Sequence, residues 1–173
     1  MNFLEKDLEE IIFKANRERM FERGLSIDGK LMRQVRIGNY GIADLISYKK
    51  PQYHTYFRHH EKGRITIYEL KKGGISVSAF FQAVRYAKGI ARWIDNNTKF
   101  DSAMFDFEIV LIGTYDGKSD IVYLADLFRE SESETLIERD TSRCSVSLYS
   151  YKFELEGIFF ERLEDYKLTQ EGF

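Results

Sequence analysis

Two predicted strands carry charged groups on faces that should otherwise be buried. Residues 41–46 read Gly-Ile-Ala-Asp-Leu-Ile, and residues 65–71 read Ile-Thr-Ile-Tyr-Glu-Leu-Lys. Side chains two positions apart point to the same face of a strand, so Asp44 shares a face with the isoleucines around it, and Glu69 and Lys71 share one with two preceding isoleucines. A carboxylate in an apolar layer must be paired, neutralised or bound to a cation, because it is very costly to remove from water alone.

Carboxylates on two neighbouring strands suit a hard divalent ion. Mg²⁺ prefers oxygen ligands and keeps several of its waters, so Asp44 and Glu69 are candidate ligands with Lys71 beside a metal-bound water. An arbitrary Glu-x-Lys pair is by default a cross-strand ion pair on a solvated face. The isoleucines on the same side argue against that default and favour a site.

These residues resemble the active-site signature of the PD-(D/E)xK nuclease superfamily, which has an Asp followed by Glu-x-Lys on the next strand. Residues 82–86, Gln-Ala-Val-Arg-Tyr, are similar to the Q-x-x-R-Y helix of its NucS-like branch. Residues 3–9 are similar to the acidic entry helix of that branch. One departure is Ala43, which stands where the family usually has Pro. The resemblance spans about residues 3–113.

The resemblance implies a nuclease that needs Mg²⁺, which Mn²⁺ can replace, and that hydrolyses phosphodiester bonds in DNA at branched, mismatched or single-stranded regions. Its metal ligands would be Asp44, Glu69, the backbone carbonyl of Leu70, and Glu5, with Glu9 in reserve. The implied catalytic residues are Asp44, Glu69, Lys71, Gln82, Glu5 and Tyr86.

Residues 1–100 carry a net positive charge and residues 101–173 a net negative charge. Residues 1–100 hold 19 Lys and Arg against 11 Asp and Glu, a net +8, whereas residues 101–173 hold 7 against 17, a net −10. Clustered cations attract the phosphate backbone of nucleic acids. The alternative is that the asymmetry only solubilises two faces. Combined with the carboxylates it favours a polyanionic substrate, with Arg33, Arg36, Lys72, Arg85 and Lys88 as the predicted nucleic-acid contacts.

Apolar periodicity and turn residues predict the order of elements. We expect a helix over 3–20, strands over 31–37 and 41–48, a loop over 49–63, a strand over 64–71 that ends at Lys72-Gly73-Gly74, a helix from Ser76 or Ser78 to about Asn96, and a strand over 105–113. The order predicts one α/β (α+β) domain with a restriction-endonuclease-like core. Its central mixed sheet would be flanked by helices.

Residues 114–173 should extend this core. They contain an apolar segment of uncertain type at 121–128, a charged segment at 129–141, one or two strands over 144–160 and a tail at 164–173. No apolar run is long enough to span a bilayer and the N-terminal segment is charged, so we expect a cytoplasmic protein that does not act in a membrane.

Three functions remain open. The first is the Mg²⁺-dependent nuclease. The second is an inactive nuclease-fold module that binds nucleic acid or assembles with a protein partner, and the third is a restriction-type enzyme with a defined recognition sequence. The NucS-like branch carries a separate DNA-binding domain before the catalytic one. This sequence has none, so we expect a homodimer, substrate-binding loops or a protein partner that chooses the substrate.

Overall fold

A computed structural model describes residues 3–54, 59–115, 120–123 and 144–163, with only the backbone of residues 53, 54, 59 and 60. In the described part, the helices are α1 Glu5–Lys14, α2 Arg17–Glu22 and α3 Val77–Asn97. The strands are β1 Lys30–Arg36, β2 Ile42–Lys49, β3 Gln52–His54, β4 His59–Glu61, β5 Gly63–Gly74, β6 Phe105–Thr114, β7 Cys144–Glu154 and β8 Gly157–Arg162.

The N-terminal segment forms two helices, so the prediction of one helix over 3–20 is wrong. Asn16 has an extended backbone, with φ −63° and ψ 138°, and its side chain accepts a hydrogen bond from the Glu18 N–H at 2.9 Å. This is the geometry of an N-cap residue, which satisfies a free amide at the start of a helix. The cap therefore ends α1 and begins α2.

Six strands form a mixed sheet in the order β1-β2-β5-β6-β7-β8. Neighbours β1, β2 and β5 are antiparallel, β6 and β7 run parallel to β5 and to each other, and β8 is antiparallel to β7. Helix α3 connects the parallel strands β5 and β6, as such a connection requires. The structure confirms an α+β fold with a mixed sheet flanked by helices.

Two predictions around β5 are wrong. The predicted loop over 49–63 contains β3 and β4, which pair with each other as a small separate sheet. The predicted stop at Lys72-Gly73-Gly74 does not occur, because β5 continues to Gly74, which pairs with Thr114 after a shift in register beyond Leu70. The neighbouring strand β6 gives this glycine-containing end of β5 a hydrogen-bonding partner.

Two apolar layers lie on opposite faces of the sheet. On one face, Ala83 and Tyr86 of α3 pack with Ile67 of β5 and Ile109 of β6. On the other, Leu8 and Ile12 of α1 belong to a second core that includes Tyr68 and Leu70 of β5. The alternating side chains of β5 therefore enter both cores, which explains why that strand is so apolar.

The C-terminal region contributes two strands to the sheet, which confirms the prediction over 144–160. Residues 121–123 are helical, with Ile121 and Val122 buried. The predictions for the charged segment 129–141 and the tail 164–173 lie outside the described residues. Among the helices that the structure describes, none is long and apolar enough to cross a membrane.

Candidate functional site

The candidate site lies where β2 and β5 separate. Their pairing runs from Lys49 and Arg64 to Leu45 and Tyr68 and does not continue to Asp44. Instead, the Asp44 side chain accepts a hydrogen bond through Oδ2 from the Leu70 N–H at 2.9 Å. A carboxylate thus replaces the strand partner that β5 loses at this point.

A second carboxylate occupies the same edge of β5. Glu5, in the first turn of α1, accepts a hydrogen bond from the Lys72 N–H at 3.2 Å. Amides two residues apart point to the same neighbouring strand, so the Leu70 and Lys72 amides both face the edge that β2 leaves. The fold therefore brings the Asp44 and Glu5 side chains to the same edge of β5.

Glu69 and Lys71 form an ion pair beside these carboxylates. Lys71 Nζ lies 2.8 Å from Glu69 Oε1, and the side chains are 26% and 1% exposed. Glu69 follows Ile65 and Ile67 on the face covered by α3, and both isoleucines are buried, as predicted. The second carboxylate oxygen, Oε2, is buried and has no hydrogen-bond partner among the described residues.

Of the two isoleucines that should flank Asp44 on a buried face, only one is buried. Ile46 is 3% exposed, but Ile42 is 44% exposed, so one side of Asp44 is open to solvent. Asp44 itself is half-buried. This opening gives the carboxylate cluster access to solvent from the end of the sheet.

Burial and crowding of negative charge change the acidity of the cluster. Burial raises the pKa of Glu69 to about 7; the Lys71 hydrogen bond opposes the rise and the charge of Asp44 adds to it. Burial also raises the pKa of Asp44, against the hydrogen bond from Leu70. Burial would lower the pKa of Lys71, but the hydrogen bond to Glu69 and the surrounding carboxylates together raise it. The Lys71 side chain is therefore protonated at neutral pH.

Glu9, the alternative metal ligand, is paired with two residues of β1. It is 3% exposed; Arg33 Nε lies 3.0 Å from its Oε1, and Gln34 donates a hydrogen bond to its Oε2. Gln34 has a φ of 50°, the only positive φ of a non-glycine residue in the described part. Sequence reasoning missed Gln34, because a strand pattern carries no signal for such a backbone.

Gln82 and Tyr86 lie one turn apart on α3 but are not equally accessible. Gln82 is half-buried, and its Nε2 donates a hydrogen bond of 2.7 Å to the hydroxyl of Tyr86, which is only 2% exposed. The Tyr86 ring packs against Gly41, which has a φ of 122° and precedes the strand of Asp44. The structure thus places Tyr86 in the core, where it supports the start of β2, and leaves Gln82 nearer the surface.

The five predicted nucleic-acid contacts also differ. Arg36, Lys72, Arg85 and Lys88 are exposed. Arg33 is instead neutralised by Glu9 and lies over the Phe13 ring, with its guanidinium carbon 5.5 Å from the ring centroid. Its charge is therefore not free to contact a phosphate in this conformation.

The donor set fits a hard cation chemically. Asp44, Glu69 and Glu5 supply carboxylate oxygens, and Leu70 presents its backbone toward the same edge, where its carbonyl accompanies its amide. The unpartnered Oε2 of Glu69 is a buried atom that a cation would satisfy. In the conformation described, no set of three or more His, Cys, Asp or Glu side chains is grouped closely enough to hold a metal ion, within the described ranges.

Comparison with known proteins gives no relative from which to transfer a role. No family model matches this chain, no curated protein matches it in sequence, and no solved structure matches its fold. Its function must therefore be argued from the geometry of the cluster.

Proposed function

We propose that this chain is a Mg²⁺-dependent nuclease of the PD-(D/E)xK type that hydrolyses phosphodiester bonds in DNA. The observation that carries the proposal is the meeting of Glu5, Asp44, Glu69 and Lys71 at one end of β5. Glu5 and Lys71 are 66 positions apart in the chain, but the first turn of α1 and the adjoining ends of β2 and β5 bring the four residues close together. The main sheet and its helices supply, in chain order, α1 and α2, the strands β1, β2 and β5, helix α3 and strand β6, and the similarity of this order to a restriction-endonuclease-like core supports the proposal.

The charges of the cluster support a role beyond holding the fold together. Lys71 is paired with Glu69 and lies within the electrostatic influence of Glu5 and Asp44, and one oxygen of Glu69 is buried without a partner among the described residues. A purely structural cluster should satisfy such an atom, because a buried polar group without a hydrogen bond costs about 1–3 kcal/mol. Perturbed carboxylates of this kind are concentrated at functional sites.

Asp44, Glu69 and the Leu70 carbonyl would hold the metal, with Glu5 as a further ligand directly or through water. When bound, Mg²⁺ would polarise the scissile phosphate and lower the pKa of a coordinated water. Lys71, kept protonated by its carboxylate neighbours, would orient the attacking water or donate a hydrogen bond to the phosphate oxygen on which charge develops. Gln82, on the adjoining helix, would hold that water or the next phosphate.

In this proposal, exposed Lys and Arg side chains bind the DNA. Arg85 and Lys88 lie on α3, Arg36 lies at the end of β1, and Lys72 follows the site lysine on β5. Cations of this kind contact the sugar-phosphate backbone and position the nucleic acid without reading its sequence. The resemblance to the NucS-like branch supports branched, mismatched or single-stranded DNA as the substrate class that we propose.

A second candidate is supported by the hydrogen bonds of the same carboxylates. Asp44 and Glu5 both accept amide hydrogen bonds at the edge of β5, and Lys71 occupies one oxygen of Glu69. These contacts alone would stabilise a strand edge in a module that binds nucleic acid or a protein partner without cutting. The two candidates differ in whether the cluster needs its negative charge.

The experiment that separates them is cleavage of labelled single-stranded, duplex, flapped and mismatched DNA with Mg²⁺, Mn²⁺ or EDTA. Asp44→Asn retains an oxygen that can accept the Leu70 hydrogen bond while it removes the charge. The nuclease proposal predicts metal-dependent cutting that Asp44→Asn abolishes, and no effect of Lys152→Ala, which breaks an exposed ion pair with Glu161. Binding of DNA without cutting in any metal would favour the second candidate.

A further inference from the structure

The backbone of Lys72 is held from both sides. Glu5 accepts a hydrogen bond from its N–H at 3.2 Å, and the hydroxyl of Tyr151 donates a hydrogen bond of 2.7 Å to its carbonyl. Tyr151 lies in β7, one residue beyond the part of the strand that pairs with β6, and is 8% exposed. This strand comes from the region after residue 113, for which the sequence predicts no part in the site.

Tyr151 also contacts the segment that carries Glu5. Its ring lies 6.0 Å from that of Phe3 and 5.8 Å from that of Phe153, and the Phe3 and Phe153 rings are 4.6 Å apart in an edge-to-face arrangement. Aromatic pairs at these separations attract each other beyond the apolar area that they bury. Phe3 stands two residues before Glu5, so the three rings fix the start of α1 against β7.

The same arrangement links Tyr151 electrostatically to Glu5. Burial raises the pKa of Tyr151, and the negative charge of Glu5 raises it further. The hydroxyl therefore remains a hydrogen-bond donor, as its bond to the Lys72 carbonyl requires. One side chain thus contacts both Phe3, just before α1, and the backbone carbonyl of Lys72.

We infer that Tyr151 is a positioning residue that sets Glu5 against the Glu69–Lys71 pair. It acts through the Lys72 peptide on one side and through the Phe3 ring on the other, and it touches neither the metal ligands nor Lys71 Nζ in any contact described above. β7 thereby completes the site. This inference rests on the proposed function, because it concerns the same site.

The test compares Tyr151→Phe with Glu5→Ala and with the double variant. Tyr151→Phe keeps the three rings and removes only the hydroxyl. Tyr48→Phe is the matched control, since Tyr48 is a half-buried tyrosine that stacks on Phe105, with no hydrogen bond described from its hydroxyl. The first readout is hydrogen exchange of the Lys72 amide, measured by NMR on the full chain without metal. The second is the affinity for Mg²⁺, measured by calorimetry.

Removal of one hydrogen bond should accelerate Lys72 exchange and weaken Mg²⁺ binding by about five- to tenfold each. The effects of Tyr151→Phe and Glu5→Ala should be less than additive, because both side chains hydrogen-bond to the backbone of Lys72. Tyr48→Phe should change neither readout. Unchanged Lys72 exchange in Tyr151→Phe would overturn the inference, and so would faster exchange with unchanged affinity for Mg²⁺.

A different result would show that the proposed function itself is wrong. A parent protein that binds no Mg²⁺ would refute the metal site for every variant alike. The positioning of Glu5 would then be judged on Lys72 exchange alone: non-additive acceleration in the double variant would support it, and additive acceleration would overturn it.

Discussion

Replacement of Glu69 by Gln should make the protein more stable at alkaline pH. Burial raises the pKa of Glu69 from an ordinary 4.5 to about 7, so the folded protein binds the proton more tightly than the unfolded chain between these values. The free energy of unfolding therefore falls as the pH rises from about 4.5 to 7. The rise in pKa from 4.5 to about 7 corresponds to about 3–4 kcal/mol of stability, at about 1.4 kcal/mol for each pH unit.

The expected signal is the change in the difference between the two proteins. Urea unfolding in EDTA, followed by circular dichroism at pH 5, 6, 7 and 8, gives the free energy of unfolding of each. The advantage of Glu69→Gln over the parent should grow by about 2–3 kcal/mol between pH 5 and pH 8, since pH-independent costs such as a weaker contact with Lys71 cancel. Most of the growth should occur below pH 7.

Glu161→Gln is the control, because Glu161 belongs to an exposed ion pair with Lys152 and such pairs contribute little. Its difference from the parent should not depend on pH. Saturating Mg²⁺ at pH 8 should stabilise the parent and not Glu69→Gln, because the metal binds the folded state only where the carboxylate is present. A Glu69→Gln advantage that is the same at pH 5 and pH 8 would refute the assignment of a buried, poorly partnered carboxylate.

Two further changes test the surroundings of the site. Gly41→Ala should lower the free energy of unfolding by about 1 kcal/mol or more, because the residue has a φ of 122° and an added Cβ would lie 2.9 Å from the Tyr86 ring. Gly73→Ala is the control and should be nearly neutral, because no heavy atom lies within 4 Å of the added Cβ. Equal effects of the two changes in urea unfolding would contradict this prediction. Arg36→Ala should reduce the steepness of the plot of log affinity for DNA against log salt concentration by about one. Arg33→Ala should leave that slope unchanged and should destabilise the fold by about 2 kcal/mol, because it leaves the buried charge of Glu9 without its partner. The reverse pattern in a salt titration would show that Arg33 is the phosphate contact.

The sequence was sufficient for the strands and helices with a clear apolar period. The strand containing Ile65 and Ile67 and the long helix after Ser76 were predicted nearly in full, because their buried faces follow the periods of 2 and 3.6. The end of α1 was not predicted: Asn16 is compatible with a helix interior by propensity, and only its cap hydrogen bond reveals the break. The end of β5 was not predicted either, because glycines continue a strand when a neighbour supplies pairing.

The candidate site was predictable in its members but not in its contacts. The Asp, Glu and Lys residues could be selected because each interrupts an apolar face, and the structure places Asp44, Glu69 and Lys71 together. That Asp44 would accept a hydrogen bond from Leu70 depends on where two strands separate, which is a tertiary property. The involvement of Tyr151 could not be foreseen, because 79 positions separate it from Lys72 and it fits an ordinary buried strand position.

The measurement that tests the central claim most directly is the rate at which saturating protein cuts labelled flapped and single-stranded DNA in Mg²⁺, for the parent and for Lys71→Ala. Electrostatic stabilisation by Lys71 acts on charge that develops during the reaction, so its loss should reduce the rate by about a hundredfold or more and change DNA affinity little. That pattern, together with no cutting in EDTA, is the result the nuclease proposal predicts. Equal rates for the two proteins, or no cutting by the parent in Mg²⁺ or Mn²⁺, would contradict it.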